Sequence, residues 1–312
     1  MTRHFARRAA LAAALVLALP GLAEGQAPRD GSAARPLRVM LVPADGGTED
    51  GTKADFAPLF ATVARATGLH FDLRVGQSYS AVVEAMCAGV AEIGWFGPVS
   101  FLEAAKRGCA ELLAVDVLNG ASVYYSGIFV RADFPGHDVA ALKGRTVALG
   151  DVISTSSFTY PVAMMIRAGL DPVKDLARVR LVGSHANALA ALRDGLVDAA
   201  GASFDSFEKA VRSGALDGAR FRVLAKSEPI PNPPLAMHPA LPEEMKRRLR
   251  VAFDTAHLGE GVNREQIRGY GGKRVDRYDA SVTLADLRPA LETIALVDER
   301  VREALMRRAA ER

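Results

Sequence analysis

Short apolar runs alternate along the chain with stretches in which apolar residues return every three or four positions. The first run covers residues 37–42; Phe56, Leu59, Phe60 and Val63 then keep helical spacing up to Gly68, and a second β-like run covers 71–75. The same grammar predicts a helix over 80–88 closed by Gly89, a strand over 92–96, a helix opened by a capping box of Ser100 and Glu103 and closed by Gly108, and a strand over 112–117. It returns with strands over 127–130, 146–149, 179–182, 197–202 and 221–225, and with helices over 158–168 and 186–193. Pro229, Pro231, Pro233 and Pro234 mark a rigid crossing, beyond which the pattern is amphipathic helix with no further strong strand. Strands alternating with helices in this way predict an α/β architecture with open parallel sheets.

The N-terminus obeys a different rule. Arg3, Arg7 and Arg8 precede an apolar run over 9–19 and then small residues, the pattern of a cleaved signal peptide over 1–27. That run is too short to cross a bilayer, no later stretch is long enough, and no cysteine stands at the cleavage region to carry a lipid, so an exported, periplasmic chain without a membrane anchor is expected. Removing the segment takes away Arg3, Arg7, Arg8 and Glu24 and lowers the formal charge from +3 to +1. A chain so close to neutrality carries no footprint for nucleic acid or for an anionic membrane. Roughly 285 remaining residues suffice for two modest cores. The expected division is a disordered linker over 28–36, a first lobe over 37–123, a second over 124–225, and a return to the first lobe with C-terminal helices over 226–312.

In an open parallel sheet, ligands bind at the carboxyl ends of the strands. Four junctions here carry suitable residues: Gly76-Gln77-Ser78-Tyr79, Gly97-Pro98, Ser154-Thr155-Ser156-Ser157 and Gly183-Ser184-His185. The serine and threonine cluster opens a helix, where unpaired N–H groups and hydroxyls converge; it is either an anion site or a plain N-cap. Tyr79 and His185 each stand just before a helix, as neutral donors to an oxyanion or as structural residues. Trp95 and Phe96 close a buried strand and fill either the core or a cleft wall. Cys87 ends a predicted helix and Cys109 precedes a predicted strand; both fall at the amino edge of the sheet, which favours a disulfide away from the cleft. Ser154 with His185 could imitate a nucleophile and base, but the site has no metal-ligand cluster or arginine clamp for phosphoester chemistry, so neither catalysis nor a cofactor is expected.

These residues resemble one family, the phosphonate, phosphite and phosphate substrate-binding proteins of bacterial ABC transporters, within the periplasmic binding-protein superfamily. The resemblance rests on Ser78-Tyr79-Ser80-Ala81-Val82-Val83-Glu84-Ala85, Ile93-Gly94-Trp95-Phe96-Gly97-Pro98, Tyr124-Tyr125-Ser126, Gly150 with Ser154-Thr155-Ser156, Ser184-His185 and Ile230-Pro231. It implies two α/β lobes with a ligand cleft between them, closing about crossings near 118–126 and 221–231. It also implies a membrane ABC permease as partner, with Ser154, Thr155, Ser156, Tyr79, Tyr124 and His185 around the phosphoryl oxygens. Ser157 stands where the family commonly has glycine. Asp205 matches one carboxylate that holds the ammonium of an amino-phosphonate, or simply caps a helix; Pro233 replaces the second carboxylate. The resemblance leaves a second reading, a sensor docking on a membrane histidine kinase, with a thiol ligand for an oxyanion such as arsenite.

Overall fold

The computed structural model describes residues 29–45 and 49–311; the signal peptide read over 1–27 lies outside them. Lobe 1 opens with β1 (Leu37–Leu41), α1 (Glu49–Thr67), β2 (Phe71–Val75), α2 (Tyr79–Cys87), β3 (Ile93–Trp95), α3 (Pro98–Lys106) and β4 (Glu111–Val117). The chain leaves through β5 (Val123–Tyr124) and builds lobe 2 from β6 (Ser126–Arg131), β7 (Thr146–Leu149), α4 (Tyr160–Arg167), β8 (Arg178–Leu181), α5 (His185–Arg193), β9 (Ala199–Ser203), α6 (Phe204–Arg212) and β10 (Phe221–Lys226). It returns through β11 (Ile230–Pro231) to β12 (Leu235–Met237), α7 (Glu243–Thr255) and β13 (Arg277–Asp279), and ends with α8 (Arg288–Ala295) and α9 (Glu299–Ala310). Among the described residues lobe 1 holds a sheet in the order β13-β4-β12-β3-β1-β2, lobe 2 a sheet in the order β10-β6-β9-β7-β8, and β5 pairs with β11 as a separate ribbon.

Both sheets are mixed rather than purely parallel, for a reason that lies in the crossings. β1 runs parallel to β2 and β3, and β7 runs parallel to β8 and β9, with all these strands ending toward the other lobe. A chain crossing between lobes enters the new sheet at that same edge and must run the opposite way. β6, which follows the first crossing, is accordingly antiparallel to β9 and β10, and β12, which follows the second, is antiparallel to β3 and β4. The two crossings meet in the β5–β11 ribbon, where Ile230 faces Tyr124.

Several expectations are corrected. β12 and β13 occupy the region read as purely helical; at three residues each, they are too short to show a period. The helix assigned a Ser100–Glu103 capping box starts earlier: Gly97 caps it, Pro98 supplies a preset φ, and the Ser100 hydroxyl donates to the Gly97 carbonyl inside the first turn. Residues 29–36 are not a disordered linker, because Gly31 is buried against Leu69 and its carbonyl accepts the His70 N–H at 2.8 Å. The two terminal helices divide between the lobes: α8 buries Ala290 in the core of lobe 1, Val297 just before α9 and Leu305 within it are buried in the core of lobe 2, and Arg302 reaches back to Glu103 of α3 at 3.7 Å.

Cys87 at the end of α2 and Cys109 before β4 form a disulfide with Cα atoms 4.7 Å apart and a sequence separation of 22. It staples the edge of lobe 1 opposite the cleft. A loop of that length restricts the unfolded chain by about 3 kcal/mol. The double substitution C87S/C109S should therefore lower the melting temperature by roughly 5–10 °C while leaving ligand affinity unchanged, as read by differential scanning calorimetry and titration calorimetry.

Candidate functional site

The strand ends that face each other across the lobes line a narrow cavity of about 10 Å³, room for about one water. Lobe 1 contributes Val42 and Ala44 after β1, Tyr79 after β2, Trp95 and Gly97 at β3, and Tyr270 from the segment before β13. Ser154, Thr155 and Ser156 after β7 and His185 after β8 come from lobe 2; Tyr124 and Pro233 come from the two crossings. All four polar junctions read from the sequence thus open into one cavity. Six of the seven candidate site residues line it, and Trp95 is a wall residue. Asp205 is not brought to the wall: its carboxylate pairs with Lys273 at 3.0 Å.

The serine and threonine cluster is built on a wide turn. Thr155–Thr159 form one turn of π-helix, in which the Thr159 N–H reaches the Ser154 carbonyl at 3.1 Å. Among the described residues, the N–H groups of Thr155 and Ser156 at its head find no acceptor, as is usual for the first groups of a helix. Ser154 caps the turn: its Oγ accepts the Ser157 N–H at 3.3 Å and the Ser157 hydroxyl at 2.7 Å. With those lone pairs engaged, the Ser154 proton is directed to the cavity side, toward the Tyr79 phenol. Ser157 is fully buried behind Ser154 and does not line the cavity. Its side chain needs the bare backbone of Gly150, where a Cβ would sit 2.0 Å from the Ser157 hydroxyl. Thr155 Oγ1 accepts the Val99 N–H across the cleft at 2.9 Å, and the Ser126 hydroxyl donates to the Ser156 carbonyl at 2.7 Å.

His185 has its tautomer fixed by the backbone. The Ser203 N–H donates to Nδ1 at 2.9 Å, so in the neutral ring the proton resides on Nε2, 3.5 Å from Ser154 Oγ. Burial pulls the imidazole down to about 4, against the opposing pull of Asp45, so the ring is a neutral donor at physiological pH. Burial also pushes the phenols of Tyr79 and Tyr124 up, with Ser154 acting the other way on the first and Ser156 and Thr155 on the second; both remain O–H donors. Tyr270 was not found by sequence reasoning. Its hydroxyl bonds Ser203 Oγ at 2.8 Å and Ser206 Oγ at 2.7 Å, and its ring stands 5.2 Å from Trp95. The one available signal was an aromatic isolated among glycines, in Gly269-Tyr270-Gly271-Gly272.

No described residue in the cavity wall carries a charge. The charges lie just outside it, where the lobes touch. Lys209 of α6 reaches Asp45 at 3.3 Å and Asp55 at 2.5 Å, and Ser206 donates to Asp45. Burial raises Asp55 to about 6 despite Lys209. With His185 N–H to Ala44 O at 3.1 Å and Tyr79 N–H to Asp151 at 3.2 Å, these contacts hold the two lobes closed on the cavity.

A family model described as the periplasmic substrate-binding protein of phosphonate ABC transporters matches residues 47–280. The chain is 27% identical over 231 residues to the phosphate-import protein PhnD of Mycolicibacterium smegmatis, covering 70% of each. It is 25% identical over 211 residues to the phosphonates-binding periplasmic protein of Escherichia coli, covering 66% of this chain and 62% of that relative's own length. Its fold matches the crystal structure of a binding protein component of an ABC phosphonate transporter from Pseudomonas aeruginosa with a TM-score of 0.73, at 21% identity, over 87% of this chain and 97% of that one.

Two expectations arise from this geometry. Ser157→Ala removes the hydroxyl that fixes Ser154; oxyanion affinity should fall about tenfold by titration calorimetry with the fold intact, since one oriented hydrogen bond is worth about 1 kcal/mol or more. His185 has a folded value below its ordinary 6.5, so on acidification the unfolded chain takes up the proton first. Stability is therefore complete above about pH 6.5 and declines as pH falls toward about 4. The slope of melting temperature against pH across that window should be shallower in His185→Gln.

Proposed function

The chain belongs to the family of periplasmic substrate-binding proteins of phosphonate ABC transporters, and on that premise we propose that its cleft captures a phosphonate, phosphite or phosphate ion for the importer. The carrying observation is that neutral donors from both lobes converge on a small, closed cavity whose described wall has no charge of its own. A tetrahedral oxyanion is matched by the N–H groups of Thr155 and Ser156, the hydroxyls of Ser154, Thr155 and Ser156, the phenols of Tyr79 and Tyr124, and Nε2–H of His185. Each such bond to a charged group contributes about 1.5–3 kcal/mol. Neutral donors hold the anion without leaving an uncompensated cation buried in the empty protein.

About 10 Å³ is far below the roughly 300–1,000 Å³ of pockets for drug-sized ligands, so the lobes must give slightly even for a small ion and a large ligand is disfavoured. Binding proceeds without covalent chemistry: Ser154 already serves as an acceptor for Ser157, and a neutral His185 whose Nδ1 is engaged by Ser203 holds its proton toward the cleft and has no free lone pair to take another. Ligand contact with both lobes stabilises the closed form, with the β5–β11 ribbon as hinge, and that form is what the membrane permease reads. Residues 1–27 direct export and are cleaved. A sensor docked on a histidine kinase would use the same cleft, and no feature described above favours it over uptake.

A thermal-shift panel on the mature protein with phosphate, phosphite, methylphosphonate, sulfate and arsenite tests this reading. Ligand at about a hundred times its Kd stabilises by about 2.7 kcal/mol, so a phosphorus oxyanion should raise the melting temperature by a few degrees. The rise should be abolished in Ser154→Ala/Thr155→Ala. A response to arsenite or sulfate alone would displace the proposal.

A further inference from the structure

The tight turn from Gly269 to Lys273 presents two different groups to the cleft region. Tyr270 lines the cavity; Lys273 does not. Gly271 and Gly272 both lie in the left-handed region, at φ +68° and +69°, and the turn fits closely: a Cβ at Gly272 would stand 2.6 Å from an Asp55 oxygen. The turn carries the Lys273 ammonium to 3.0 Å from Asp205 of α6 and 3.6 Å from Asp116 of β4, tying the lobes together. Burial pulls this lysine down, but Asp116 and Asp205 outweigh it and hold the group above its ordinary value, as an ammonium. Asp205 is close to the ligand space: its charge helps raise the Tyr124 phenol, and its chain neighbour Ser206 bonds the Tyr270 hydroxyl.

We propose that Lys273 is a specificity-determining residue: its ammonium fills Asp205 and Asp116, so the cavity rejects ligands that bring an ammonium of their own and selects a phosphorus oxyanion with a small, uncharged fourth substituent. The inference rests on the oxyanion reading above. Of the other acids beside the cavity, Asp45 is already engaged by Lys209 and Ser206, and the two oxygens of Asp151 accept the Tyr79 and Ile153 N–H groups. A ligand ammonium would thus be stripped of water while every carboxylate beside the cavity is already engaged by another donor. The substituent meets instead an apolar part of the wall, formed by Val42, Ala44, Trp95 and Pro233.

The test measures affinities of methylphosphonate, 2-aminoethylphosphonate and propylphosphonate, the uncharged isostere of the second, by titration calorimetry on wild type and Lys273→Met. Wild type should bind 2-aminoethylphosphonate on the order of 100-fold more weakly than methylphosphonate. In Lys273→Met, 2-aminoethylphosphonate should gain about tenfold or more while propylphosphonate does not, because Asp205 and Asp116 then await a cation. A structural role for the lysine would move both ligands alike, and equal gains would overturn the proposal. So would comparable binding of methylphosphonate and 2-aminoethylphosphonate by wild type, a comparison that stands even if Lys273→Met does not fold; in that event Lys273→Gln replaces it. Binding of none of the three, nor of phosphate or phosphite, would overturn the oxyanion reading itself.

Discussion

A buried anion held without a cation has to be held by dipoles, and dipoles stabilise charge only when they cannot turn away. Most of the second tier around this cavity serves that constraint. The Ser203 N–H decides which nitrogen of His185 faces inward, and Ser157 decides where the Ser154 proton goes. The π turn spreads the head of the Ser/Thr segment so that two backbone N–H groups and three hydroxyls converge, and Gly150 makes room for the side chain behind them. None of these contacts touches a ligand, yet each removes a reorganisation that binding would otherwise require.

Charge has been placed where the lobes meet, not where the ligand sits. Lys209 spans the interface to Asp45 and Asp55, Lys273 spans it to Asp205 while also pairing with Asp116 of its own lobe, and α6 is the element through which both clamps act. Buried ion pairs of this kind are close to neutral in net stability, because desolvation offsets attraction, but they are demanding in geometry. They suit a closure whose balance is to be tipped by a small ligand: they fix the register of the lobes without making the closed state overwhelmingly favourable on their own.

Much of this was legible in the chain. The strands of both lobes are apolar runs bounded by glycines, and the four cavity-facing junctions follow from parallel strands ending at one edge. What escaped detection had no periodic signal to offer. β12 and β13 owe their existence to pairing with β3 and β4, not to local pattern. Ser100 and Glu103 carry a capping-box spacing, but Pro98 made an earlier start better. Tyr270 reaches the cavity from more than a hundred residues beyond the other wall residues of lobe 1, in a glycine-rich turn whose direction only tertiary packing sets. Asp205 looked equally fit for a ligand or a cap, and its partner, Lys273, lies in that same turn.

The chain contains a single tryptophan, and it is Trp95, set between Phe56 at 4.8 Å and Tyr270 at 5.2 Å in the cavity wall. An indole dominates near-ultraviolet emission, and its colour follows the polarity of its surroundings. Every photon of tryptophan fluorescence from this protein therefore originates at the cleft. An opening of the lobes would admit water to that ring, which is 3% exposed in the closed form, so the untouched protein carries its own optical gauge of closure, free of background from any other tryptophan in the chain.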